Sequence, residues 1–171
     1  IRAAQLGLKT AVVERAPVLG GTCLNWGCIP TKALLEHAHA LKVARDWKEW
    51  GLTIGDAAIG IDMNQVQARK DKIVKGLTGG IEFLFKKNKI DWIKGSGRLA
   101  GTGKVEITEG QKGTLTARRE IIVATGSTPR SVPGIEIDRK RIITSDEAIH
   151  LKEIPKSIVI LGSGAVGVEF G

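Results

Sequence analysis

The spacing of apolar positions divides the chain into long helical stretches and short β-branched runs. Residues 1–8 (IRAAQLGL) read as the end of a helix with Gly7 as its cap. Residues 9–14 (KTAVVE) form a buried strand that ends on an acid. A turn-rich segment, 17–25, leads to a helix over 30–50. Residues 51–60 read as a loop, and a second long helix fits 63–88 despite Gly76, Gly79 and Gly80 in its middle. Beyond residue 89 the texture changes. Residues 90–93, 97–99, 104–108 and 113–118 are short strand-like pieces parted by glycines, which predicts a small antiparallel meander.

Residues 120–124 (EIIVA) then predict another buried strand, running into Thr125-Gly126-Ser127. Residues 131–141 are a loop. Residues 145–150 are a short helix with Ser145 as N-cap. After Pro155, residues 157–161 (SIVIL) predict a strand, followed by a glycine turn and the opening of a helix. The whole is an α/β chain with a domain boundary expected near residue 150: one domain over 1–150 and the start of a second over 151–171. The chain opens at Ile1, without Met and in helix-like sequence, so we expect a piece of a longer protein.

Composition narrows the classes. No run of 18 or more apolar residues indicates a membrane span. The net charge is +8, but Lys and Arg are spread along the chain and aromatics are 4%, so a solvated basic surface is expected rather than nucleic-acid binding.

Two motifs carry chemistry. The first is Gly162-Ser163-Gly164-Ala165-Val166-Gly167, directly after an apolar run and before helix-compatible residues, the context of a dinucleotide-binding turn. Gly162 suits the tight turn, Gly164 the approach of a pyrophosphate, and Gly167 close packing of helix on strand. The acid that reads the adenosine ribose falls ~20 residues further on, beyond Gly171, so these residues do not separate NAD from NADP. The second is the pair Cys23 and Cys28. A metal site, inert buried thiols and a redox disulfide are the alternatives. Zinc wants four ligands, and these are the only two cysteines. His37 and His39, two apart, would face opposite sides of a helix. A disulfide fits better, provided Gly27 loosens the first helical turn and Pro30 removes a donor. A bridge across so short a loop stabilises little, which favours chemistry over stapling. A helix N-terminus beside the pair would be expected to lower a thiol pKa.

The segment G-G-T-C-L-N-W-G-C-I-P-T-K, residues 20–32, resembles the active-site signature of the class I pyridine nucleotide-disulfide oxidoreductases, and its continuation Ala33-Leu34-Leu35 is most similar to the dihydrolipoamide dehydrogenase branch. Trp26 departs from the small or aliphatic residue usual there. The resemblance extends through Glu14, Gly97, residues 124–127 and residues 162–171.

It implies a Rossmann-like FAD-binding domain with a small antiparallel meander, lacking its first strand, followed by the first strand and turn of an NAD-binding Rossmann domain. It implies FAD and NAD as cofactors. Cys28 would be the flavin-proximal thiolate and Cys23 the interchange thiol. Lys32 would lie by the flavin and pair with Glu169. Glu14 would hydrogen-bond the adenosine ribose, and Gly21, Thr22, Gly97, Thr125, Gly126 and Ser127 would contact FAD. Gly162, Gly164, Ala165, Val166 and Gly167 would serve the nicotinamide nucleotide. The implied reaction is dihydrolipoamide and NAD to lipoamide and NADH, with lipoyl domains of 2-oxo acid dehydrogenase complexes as partners, a homodimer and a cytoplasmic location. A glutathione- or mercuric-reductase-like NADPH-dependent enzyme, or an inactive nucleotide-binding fragment, is the alternative. The isolated piece is expected to be inactive.

Overall fold

A computed structural model describes residues 1–55 and 58–171. Part of the loop expected over 51–60, residues 56 and 57, lies outside the described residues. In chain order the elements are α1 (Arg2–Gln5), β1 (Ala11–Glu14), α2 (Gly21–Asn25), α3 (Cys28–Arg45), α4 (Met63–Lys87), β2 (Asp91–Lys94), β3 (Gly97–Leu99), β4 (Lys104–Ile107), β5 (Gly113–Thr116), α5 (Ser145–Ala148) and α6 (Ala165–Phe170). The chain separates into two compact units, one of residues 1–20 with 76–126 and one of residues 21–75 with 127–171. The α/β class and the small antiparallel sheet are as the sequence predicted.

In the first unit β1 and β2 pair in parallel, Val12 opposite Trp92 and Val13 opposite Ile93. Parallel neighbours require a long crossover, here the helices between them in the chain. The backbone carbonyl of Glu14 accepts the Gly95 N–H at 3.0 Å, so Glu14 sits at the carboxyl end of the pair. β3, β4 and β5 form an antiparallel meander with β4 in the middle. Ile107 on β4 is buried, as are Leu19 and Ile90. A turn locks the meander to the end of β2: Gly110 has φ +78°, and a Cβ there would strike the Lys94 carbonyl oxygen and stand 3.1 Å from Gly95 Cα.

In the second unit Pro30, Ala33, Val66 and Ile149 are buried. α4 runs unbroken past its three glycines because propensity is only a weak prior.

Several expectations are corrected. Residues 91–94 belong to the parallel pair and not to the meander, because their partner is β1. Residues 120–124 and 157–161 are not strands: Ile122 is 82% and Val159 94% exposed. Their apolar runs suit a strand, but a strand exists only through its partners, and among the described residues none pairs with either segment. The segment 17–25 contains the short helix α2, and α3 starts at Cys28 and stops at Arg45. The N-cap of α5 is Thr144, one residue before Ser145. Its side chain accepts from Asp146 N–H while Glu147 reaches back to the Thr144 N–H at 2.9 Å, a reciprocal cap.

Gly110→Ala should destabilise the protein by about 2–4 kcal/mol, combining left-handed strain with overpacking. Gly101→Ala, also at positive φ but with open space around the added carbon, should cost only about 1–2 kcal/mol. Urea denaturation of both variants checks the difference.

Candidate functional site

The second unit holds the cysteine pair. α2 carries Cys23, and Trp26 N–H closes its last turn onto the Thr22 carbonyl at 3.0 Å. The chain then breaks at Gly27, the N-cap of α3, and Cys28 is the first helical residue. A Cβ on Gly27 would lie 2.9 Å from the Thr22 carbonyl oxygen and 3.3 Å from Cys23 Cα. Only a residue without a side chain lets α3 begin against α2, and this contact is what brings Cys28 beside Cys23. Pro30 is the third residue of α3, where the backbone N–H has no intrahelical acceptor, so its missing donor costs nothing. Thr31 ties down the junction by donating its hydroxyl to the Gly27 carbonyl at 2.7 Å.

Both cysteines are exposed free thiols. The unbridged pair is the reduced form of the expected redox pair, and its exposure removes the inert buried-thiol alternative. The Cys23 thiol hydrogen-bonds to Cys28, and this bond is the largest cause of a Cys23 pKa raised above the usual thiol value. Partial desolvation and the repulsion of a second negative charge at Cys28 add to it. The lowering expected from the helix start is present, through the Cys28 backbone N–H and the charge of Lys32, but it is the weaker effect. The expectation is thus corrected for Cys23: the hydrogen bond to its neighbour outweighs the helix end. A raised pKa means that Cys23 keeps its proton to higher pH, so its nucleophilic form gains population only on the alkaline side of the usual range.

Lys32, one turn after Cys28 on α3, donates to Glu169 Oε1 on α6 at 2.7 Å across 137 residues of sequence. The Glu169 hydrogen bond and its charge raise the Lys32 pKa, and both cysteines add to the effect. The ammonium is therefore held in its charged form, near enough to the thiols to act on them electrostatically. The lysine is 60% exposed, so the pair serves orientation and charge more than stability.

The glycine turn lies in the same unit. Gly164 is the N-cap of α6, with Ala165 and Val166 opening the helix. A Cβ on Gly167 would collide with the Gly162 carbonyl oxygen, while Gly164 faces open space. Gly167 is thus needed for packing, and Gly164 leaves room for a ligand backbone, as the pyrophosphate reading requires.

The first unit holds the other candidates. Glu14 Oε1 accepts the Ala16 N–H at 2.9 Å, fixing the carboxylate at the end of β1, where a ribose-reading acid belongs. Gly97 is a packing glycine: its added carbon would meet Val105 at 3.2 Å and Val13 at 3.4 Å. Thr125 and Gly126 are exposed in irregular chain at the end of this unit, and Ser127 opens the next segment of the other. Gly21, at φ +61°, opens α2, and Thr22 follows it. Among the described residues no cluster of three or more His, Cys, Asp or Glu side chains could hold a metal ion.

One buried polar residue was not singled out in the sequence. Lys70 is 1% exposed. The signal was available: 66, 70, 74 and 78 form one stripe of α4, and Val66, Lys70 and Thr78 on it are buried.

An exposed dithiol at a helix start, with a lysine charge held beside it, is an arrangement suited to thiol–disulfide exchange. The chain belongs to the pyridine nucleotide-disulphide oxidoreductase family, which it matches over residues 1–171. It is 48% identical to dihydrolipoyl dehydrogenase 3 of Pseudomonas putida over all of its own length and 37% of that protein's. It is 45% identical to dihydrolipoyl dehydrogenase of Bacillus subtilis over 99% of its length and 37% of the relative's. The chain thus spans little more than a third of these relatives. Among solved structures, the HOCl-induced flavoprotein disulfide reductase RclA of Escherichia coli superposes with a TM-score of 0.80 at 26% identity, covering 99% of this chain and 34% of that one. LpdA of Mycobacterium tuberculosis shares the fold, with a TM-score of 0.76 at 21% identity, over 90% of this chain and 34% of that one.

Removing the hydrogen-bond partner should release Cys23. In Cys28→Ala the pH midpoint for iodoacetamide alkylation of Cys23 should shift down relative to the wild-type dithiol, because the largest cause of its elevation is gone. The rate–pH profile followed by mass spectrometry checks the direction.

Proposed function

We propose that this chain is the cysteine-bearing part of a flavin-dependent dihydrolipoamide dehydrogenase, with FAD and NAD as cofactors. The observation that carries the reading is the Cys23–Cys28 dithiol assembled across Gly27, with Lys32 held beside it by Glu169. The similarity to dihydrolipoyl dehydrogenases from two bacteria supports the substrate. A domain boundary near residue 150, a homodimer and docking of lipoyl domains belong to the same reading. So does a cytoplasmic location. No helix among the described residues is long and apolar enough to cross a membrane.

On this reading the pair works by thiol–disulfide exchange. In the oxidised enzyme a dihydrolipoamide thiolate attacks Cys23 Sγ, a mixed disulfide forms, and the Cys23–Cys28 bond breaks with Cys28 leaving as thiolate. The second dihydrolipoamide thiol attacks its own sulfur in the mixed disulfide. Lipoamide is released and Cys23 departs with a proton, which leaves the reduced pair. The hydrogen bond from Cys23 to Cys28 helps keep that proton on Cys23. FAD, when bound, supplies the two-electron relay between this dithiol and NAD. Lys32 places a fixed positive charge on the Cys28 side of the pair, and Glu169 keeps it charged and oriented. Glu14 would hold the ribose of FAD, with Gly21, Thr22, Gly97, Thr125, Gly126 and Ser127 along the nucleotide. Gly162, Gly164, Ala165, Val166 and Gly167 would receive the pyrophosphate of NAD.

The test is turnover by the whole protein. Dihydrolipoamide should reduce NAD, and Cys23→Ser and Cys28→Ser should each lower kcat by at least about 1,000-fold, the scale of losing a covalent nucleophile. Turnover of glutathione disulfide or mercuric ion with NADPH, without activity toward dihydrolipoamide, would sink the proposal.

A further inference from the structure

The second unit contains a buried charge that the disulfide chemistry does not use. Lys70 Nζ, on α4, donates to Gln67 Oε1 at 2.6 Å and to the Ile149 carbonyl at 3.0 Å. It lies 3.1 Å from His150 Nδ1 and 3.2 Å from Asp71 Oδ1. One turn earlier on the same face, Gln67 donates its amide to the Leu151 carbonyl at 2.9 Å. Two adjacent rungs of α4 thus hook two carbonyls of the segment that follows α5, and Ile149 between them is fully buried.

An ammonium has only donors, so His150 Nδ1 must accept. The imidazole is therefore neutral, with its proton on Nε2. We infer that Lys70 and His150 form an acid-sensitive latch that fastens residues 149–151 to α4 at neutral pH and loosens when His150 takes up a proton.

The step is a simple protonation. A solvent proton binds Nδ1, the acceptor becomes a donor, and two cations face each other at the former hydrogen-bond distance. His150 is itself exposed, so protons reach it. The charged groups facing it are Lys70 and Asp71 from α4 and Asp146 from α5. Asp71 and Asp146 favour the imidazolium, whereas desolvation first and Lys70 second oppose it, and the opposing effects prevail, so the His150 pKa lies below its ordinary value. A group whose pKa is depressed on folding adds stability above its unfolded value, about 6.5 for histidine. That contribution is lost as pH falls through the folded value. The latch is therefore closed at neutral pH and opens on the acid side.

The experiment is hydrogen exchange of the whole protein between pH 7.5 and 5, with each amide corrected for its intrinsic rate. The Leu151 N–H, which bonds the Ala148 carbonyl, is the reporter. Its protection should fall roughly tenfold on acidification, the effect of two unit charges at this separation in a water-like dielectric. In His150→Gln, which can accept from Lys70 but cannot titrate, protection should stay flat across the range. In Lys70→Met the His150 midpoint, followed by NMR, should move up. An equal acid loss in His150→Gln would overturn the latch, as would a wild-type protection that does not change with pH. Should Lys70→Met fail to fold, the His150→Gln comparison decides alone.

Discussion

The close approach of two helices at Gly27 is the constraint on which the candidate site depends. Two cysteines five residues apart on one regular helix would be held at separate positions along its axis. Here the chain ends one helix, turns, and starts another within two residues, so that the second cysteine opens its helix beside the first. The turn works because the Thr22 carbonyl and the Cys23 backbone occupy the space a side chain would need. Thr31 and Pro30 then make the start of α3 rigid without asking for a capping side chain. Sequence, backbone and redox pair are linked at a single missing methyl group.

That geometry also decides the electrostatics. A helix start ordinarily favours thiolate, and the contributions that do so are found at Cys23. They lose to the neighbouring sulfur, because two thiols in contact cannot both ionise cheaply. The result is a Cys23 thiol that holds its proton against the pull of the helix start. Lys32 adds a charge that its partner Glu169, far away in sequence, keeps in place. An exposed ion pair of this kind contributes little to folding, which makes orientation of charge near the sulfurs its more informative role.

Much of this was legible in the sequence because it is local. The cysteine spacing, the glycine that parts them and the acid closing β1 are all read within a few residues. The meander was legible through its glycines, and the two long helices through their periodicity. What was not legible depends on partners distant in the chain. Residues 91–94 look like part of the meander until β1 claims them. The apolar runs at 120–124 and 157–161 have strand composition, yet pattern cannot supply the neighbour that turns such a run into a strand. The rise in the Cys23 pKa was missed for a different reason: it required knowing that the Cys23 thiol hydrogen-bonds to Cys28.

Lys70 shows the same limit from the opposite side. Its position on the stripe of Val66 and Thr78 made it a candidate for burial, but burial of an ammonium is tolerable only where acceptors surround it. Those acceptors come from Gln67 within its own helix and from the backbone of Ile149, some 79 residues later. A buried apolar residue at this place would have left the Ile149 carbonyl without its partner. A charged one satisfies that carbonyl and, through His150, makes the satisfaction depend on a proton. The same side chain thus answers a packing requirement and introduces a titratable contact, so the segment after α5 is fastened by a bond whose strength follows the protonation state of its neighbour.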